Sequence, residues 1–217
     1  MDTKNPETTI YDLQIFDIHN GFSLPLQDGE LVDFRPVQPD DRERLQNGMS
    51  ALSLQSRYFR FFTPVSKLSD ALLNYLTEAD QSNHVAWIAT APDEPSHPGL
   101  GIARFIRIYD QPHIAEFAVV VIETYKRRGL GRILIAILYL IAQIEGIEVL
   151  RAFVLPENTT MITWLHRLGA NGKYENGIYR MDIGVCNDLS CSGNNPSIER
   201  FRYCIEKLIA QLQGNTG

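Results

Sequence analysis

The sequence predicts an α/β (α+β) protein: a mixed, mostly antiparallel sheet of six to seven strands with a parallel central pair, flanked by helices. Three observations lead there. Between residues 84 and 122, three apolar runs follow one another across short turn signals, as consecutive antiparallel strands do. The period then changes, with Leu134, Ile137, Leu138 and Ile141 recurring at helical spacing. A further apolar run at 149–155 completes a strand–helix–strand unit, whose two strands should be parallel.

The elements follow in order. Residues 1–30 read as an N-terminal extension, with imperfect alternation over 8–16 and a turn at Gln27-Asp28-Gly29-Glu30. A strand is expected at 31–37. Pro39-Asp40-Asp41 then starts a helix whose inward face holds Leu45 and Met49. Further helices are expected near 56–62 and 69–77, the latter with Leu72, Leu73 and Leu76 inward. Strands occupy 84–90, 101–109 and 113–122. In the last, Ala118-Val119-Val120-Val121 is apolar on both faces, the mark of a central strand. Gly146 stops the long helix, and Gly169 closes a helix over 159–168. Asn176-Gly177 signals a hairpin within 172–183. The main domain is thus 31–183. A linker follows at 184–197, and then an amphipathic helix at 198–213, with Phe201, Ile205, Leu208, Ile209 and Leu212 on one stripe. That stripe either seals the monomer or forms a homodimer contact.

The chain has 217 residues, 44% of them hydrophobic, enough for a core without metal staples. A net charge of −6 argues against a dedicated nucleic-acid binder. Cys186, Cys191 and Cys204 show no zinc spacing and read as free thiols, with a Cys186–Cys191 bridge as the alternative. The longest apolar stretch, 130–144, is interrupted by Arg132 and Gln143 and is too short to span a bilayer. A cytoplasmic protein without membrane partners is the expectation. His84 and His113 have no ligand partners in sequence, so no metal is expected.

Chemistry concentrates at Lys126-Arg127-Arg128-Gly129-Leu130-Gly131, between a buried strand and the long helix. A helix N-terminus presents unpaired N–H groups and the positive end of the dipole, and glycines allow a ligand close to the backbone. Lys126, Arg127, Arg128 and Arg132 add charge, so a pyrophosphate is the natural occupant. The dinucleotide fingerprint and the Walker sequence are both absent.

This stretch, with Val119-Val120-Val121-Ile122 before it, resembles the [Q/R]-x-x-G-x-[G/A] signature of the GNAT superfamily of N-acetyltransferases. It departs at its first position, where Lys126 can meet a phosphate only as a point charge. Pro156-Glu157-Asn158-Thr159-Thr160-Met161 and Leu168-Gly169-Ala170 are similar to the family's later N-x-x-[A/M] and L-G-[F/A] features. The element order agrees over 31–183. Leu54-Gln55-Ser56-Arg57-Tyr58-Phe59-Arg60-Phe61-Phe62 and Ala115-Glu116-Phe117-Ala118 resemble, more narrowly, the acetyltransferase domain of bacterial protein lysine acetyltransferases.

The resemblance implies a GNAT fold whose parallel pair splays to admit acetyl-CoA. The main chain of Val119 and Val121 would then pair with pantetheine, with Asn158 nearby. It further implies acetyl transfer to a primary amine, either a protein lysine or a small molecule, with Glu116 as general base. On the residues alone, Glu116 is an isolated carboxylate in an apolar strand, expected to be partly buried and suited to accept a proton. A rim carboxylate paired with Arg104 is the alternative. Asn158 would equally cap the helix that follows it. Many family members carry a tyrosine acid at the position of Leu165, which this sequence lacks. Asp70, Glu78 and Asp80 are candidates to attract a cationic acceptor, with a solvated face as the equal alternative. A non-catalytic acetyl-CoA-binding regulatory domain is the competing function.

Overall fold

The computed structural model describes residues 19–92, 99–186 and 196–214. The extended segment expected at 8–16 lies outside these residues, as does Cys191. Eight strands form a single sheet: β1 (Phe22–Pro25), β2 (Leu31–Pro36), β3 (His84–Thr90), β4 (Gly101–Ile108), β5 (Gln111–Val121), β6 (Val149–Val154), β7 (Asn171–Glu175) and β8 (Ile178–Gly184). Their spatial order is β1-β2-β3-β4-β5-β6-β8-β7. Every pairing is antiparallel except β5 with β6.

The sheet exceeds the expected six to seven strands because Phe22–Pro25 adds an edge strand to β2. Phe22 and Leu24 alternate inward at 7% exposure each, and Phe22 stacks on Phe34. Pro25 is tolerated there because an edge strand leaves one row of N–H groups unpaired anyway.

Among the described residues, six α-helices accompany the sheet: α1 (Arg42–Ser50), α2 (Leu54–Phe61), α3 (Asp70–Thr77), α4 (Leu130–Ile144), α5 (Thr159–Arg167) and α6 (Pro196–Gly214). Ser53 and Ser69 cap α2 and α3 by accepting the backbone N–H three residues on. The helix α4 packs against β3, β4 and β5, and its residues from Leu134 to Ala142 are all buried. This makes α4 apolar almost all round, because α6 covers its outer side. Phe201, Ile205 and Leu208 on α6 are each 1% exposed, and Phe201 meets the edge of the Tyr139 ring at 5.7 Å. The stripe therefore seals this chain against itself. The hairpin at Asn176-Gly177 forms as expected, with both residues at positive φ.

Cys204 is a free thiol that burial pushes up to about 11, as expected of an inert core cysteine. Cys186 corrects the expectation of free thiols, for it is disulfide-bonded. Its backbone N–H donates to the Tyr139 hydroxyl at 2.9 Å, fixing the chain after β8 against α4.

Candidate active site

The turn between β5 and α4 is built by backbone conformations that only certain residues adopt. After β5, a 3-10 turn at Glu123–Tyr125 brings the chain around, and Arg127 and Gly129 then take φ of 65° and 94°. Gly129 is the N-cap of α4, and its carbonyl accepts from the N–H groups of Arg132 and Ile133. Among the described residues, nothing accepts from the backbone N–H of Gly129, Leu130 or Gly131. A Cβ placed on Gly131 would lie 3.4 Å from Trp164 of α5 and 3.7 Å from Val121. This helix N-terminus therefore faces a narrow gap bounded by β5 and α5, a geometry suited to an elongated anionic ligand.

The gap continues between β5 and β6. Their parallel pairing covers only Ile114↔Val149, Ala115↔Leu150 and Glu116↔Arg151. Beyond Glu116, β5 runs on to Val121 and β6 to Val154 without pairing, so the strands fork. The edge of β5 from Phe117 to Val121 is thus left unpaired towards β6, and the main chain of Val119 and Val121 lies in the fork.

Glu116 sits where the fork begins. Its side chain is exposed, not partly buried as expected, and it lines a cleft with Arg60, Tyr75, Leu76, Arg104 and Ala118. The cleft lies between the sheet and the α2–α3 pair. Arg104, aligned with Ala118 two residues on, does not pair with Glu116 as the alternative would have it. Its guanidinium instead lies 3.0 Å from His84 Nε2 and donates to the Leu76 carbonyl at 3.1 Å. Burial, and then the Arg104 charge, push His84 down to about 4, so its ring is neutral and accepts this bond. Burial and the neighbouring Arg60 likewise push Arg104 down to about 9.

A model of the Acetyltransferase (GNAT) family matches residues 50–170, a span that contains the turn, the fork and Glu116. The chain belongs to the GNAT acetyltransferase family. The GNAT domain of S. lividans PAT superposes with a TM-score of 0.70 at 29% identity, covering 76% of this chain and 96% of that one. Acetyltransferase Pat of Mycolicibacterium smegmatis is 37% identical over 149 residues, which is 68% of this chain and 44% of Pat. Acetyltransferase PA5475 of Pseudomonas aeruginosa is 31% identical over 121 residues, 56% of this chain and 64% of that protein. The chain thus matches less than two thirds of the length of either relative.

Within this GNAT domain, the cations of the turn do not share one environment. Arg127 is exposed. Lys126 donates to Ser56 at 2.7 Å and pairs with Glu123 at 2.5 Å. Burial alone would raise the Glu123 carboxyl, but hydrogen bonds from Lys126, Ser53 and Ser56 outweigh it and hold the group at about 2. Arg128 lies over the Tyr125 ring at 4.5 Å and pairs with Asp28 and Glu30 of the β1–β2 turn. Among the described residues, the buried Nε of Arg132 has no hydrogen-bond partner.

The structure brings the turn, Val119, Val121 and Glu116 around one fork. Asn158 caps α5, its Oδ1 accepting from the Met161 N–H at 3.2 Å. Leu165 is fully buried, and His166 is exposed with its Nδ1 3.1 Å from the Ala170 carbonyl. Asp70 pairs with Arg42, and Asp80 accepts backbone N–H groups of Ser82, Asn83 and His84, so neither faces the cleft. Sequence reasoning missed the supports of the turn: Asp28, Glu30, Ser53, Ser56 and Glu123. An acidic turn near residue 28 carries no signal of contact with an arginine a hundred positions on. No group of three metal-ligating side chains occurs among the described residues.

Proposed function

We propose that this GNAT protein transfers the acetyl group of acetyl-CoA to a primary amine, of a protein lysine or a small molecule, by direct attack. One observation carries this reading: Glu116 is the last paired residue before β5 and β6 part, so one carboxylate borders both the fork and the cleft. The fork suits pantetheine, and the cleft suits an acceptor.

Acetyl-CoA supplies an activated acetyl carbon: the amine nitrogen bonds to it, the carbon–sulfur bond breaks, and the thiolate leaves. The residues present fit such a ligand, because the free N–H groups of Gly129, Leu130 and Gly131 await an anion beside Arg127. Arg132 adds positive potential to the pyrophosphate site, and Lys126 and Arg128 contribute by exchanging their carboxylate partners for the pyrophosphate. The main chain of Val119 and Val121 pairs with the pantetheine amides, and Asn158 borders them. An ammonium acceptor must lose a proton to attack, and Glu116 takes it, directly or through one water. With Leu165 buried and apolar, solvent protonates the departing thiolate.

The experiment is transfer of labelled acetyl from acetyl-CoA to a panel of amines and proteins. Label on an amine nitrogen supports the proposal. Tight acetyl-CoA binding with no transfer to any acceptor would turn the reading to a regulatory coenzyme-binding domain.

A further inference from the structure

The cleft beside Glu116 is walled by two arginines. Arg104 projects from the middle of β4 and is 4% exposed. It donates only to His84 and the Leu76 carbonyl among its described partners, and a guanidinium has more donors than these two acceptors use. Arg60, near the end of α2, lines the same cleft with its guanidinium 5.1 Å from the Phe61 ring. The two cations repel each other, and Glu116 is the one carboxylate among the residues lining the cleft.

We propose that this cleft accepts an amine that carries its own carboxylate, with Arg60 and Arg104 selecting it. The inference rests on the acetyltransferase reading of the same site. Once Glu116 has taken the acceptor's proton, the cleft holds two guanidinium charges and no anion. Like charges in a partly desolvated space are unfavourable, and a carboxylate on the acceptor neutralises them through charge-assisted hydrogen bonds. A polyamine adds a third cation, and a neutral amine leaves both arginines uncompensated. His84, held neutral, offers no competing charge. Tyr75, whose ring stacks on His84 at 5.2 Å, lines the same cleft. The carboxylate can be the α-carboxylate of a free amino acid or an acidic side chain next to a protein lysine. Both present the same chemistry to the two guanidiniums.

The test uses acceptor pairs that differ in that charge, with each rate referred to the concentration of its free amine. One pair is a free amino acid and its amide; the other is a lysine peptide with Glu or Gln beside the lysine. With acetyl-CoA saturating, kcat/KM for the carboxylate member should exceed that of its partner by at least about tenfold in one pair, and the pair that discriminates identifies the source. Arg60→Gln, which keeps the polarity and part of the length of this half-buried side chain on α2, should bring that ratio close to one while leaving acetyl-CoA affinity intact. Equal rates within both pairs, or a ratio undiminished in Arg60→Gln, would overturn the inference. Calorimetric binding of the same pairs to CoA-saturated protein gives a readout independent of turnover. Carboxylate-selective binding lost in Arg60→Gln, without transfer, would sink the acetyltransferase reading and keep the cleft's preference. Equal binding within both pairs would sink the preference.

Discussion

Glu116 of β5 and Arg151 of β6 are aligned across the last step of the parallel ladder, yet they do not pair. Arg151 is held instead by Asp182 of β8 through two hydrogen bonds, at 2.8 and 2.9 Å. On the other side of Glu116, Arg104 is taken by His84 and the Leu76 carbonyl. Neither of these two cations forms an ion pair with Glu116, which is left facing solvent and the cleft it shares with Arg60. A general base must reach the proton it removes, and Glu116, free of these partners, is placed to meet an acceptor in the cleft.

The conformation of Gly129 gives a sharp prediction. At φ of 94° a Cβ is strained, and in Gly129→Ala it would also meet Gln27 at 3.3 Å. The variant should lose about 1–2 kcal/mol of stability and bind acetyl-CoA about tenfold more weakly. Gly146→Ala is the control, since its φ is 67° with nothing within 4 Å. It should lower Tm and leave coenzyme affinity unchanged. Titration calorimetry with thermal melts separates the two.

Stability should depend on pH through His84. Its folded value of about 4 lies below the ordinary 6.5, because burial and then Arg104 oppose the charge. Between those values the unfolded chain takes up a proton that the folded protein refuses, so stability is full above pH 6.5 and falls as pH drops towards 4. His84→Gln keeps an acceptor for Arg104 and removes the titration. Its Tm should fall less steeply between pH 6.5 and 4 than that of the wild type. Parallel slopes would assign the acid sensitivity to other groups.

Phe201 tests the role of α6. It is 1% exposed and packs on Tyr139, so Phe201→Ala should cost about 3–4 kcal/mol. Because the stripe is covered within the chain, the variant should melt at lower temperature without a change in molecular mass by light scattering. A change of mass at constant stability would place the stripe in an intermolecular contact.

Much of this fold was legible because its elements obey local rules. The Leu134–Ile141 spacing announced α4, Asn176-Gly177 announced the last hairpin, and a glycine pair after an apolar strand announced the turn. The helix α3 begins beside Ser69, where it was expected, but α2 starts at Leu54, ahead of the expected 56, because Ser53 caps it. What escaped sequence reasoning depends on distant pairing. The short β1 owes its burial to Trp87, far along the chain, as well as to Phe34 on the adjoining β2. Likewise, Arg128 meets Asp28 and Glu30, and Arg104 meets His84 instead of Glu116. Ion-pair choice is made by the assembled sheet, and no spacing in the chain records it. The fork itself was expected only through the family resemblance; the structure shows the pairing that ends at Glu116.

The most direct measurement is acetyl transfer by wild type and Glu116→Gln, with acetyl-CoA affinity determined on the same samples. Glu116→Gln should bind acetyl-CoA as tightly as the wild type while turnover falls about 10²–10⁴-fold, most visibly at low pH where the free amine is scarce. Unchanged turnover in Glu116→Gln would remove this carboxylate from the chemistry and contradict the account.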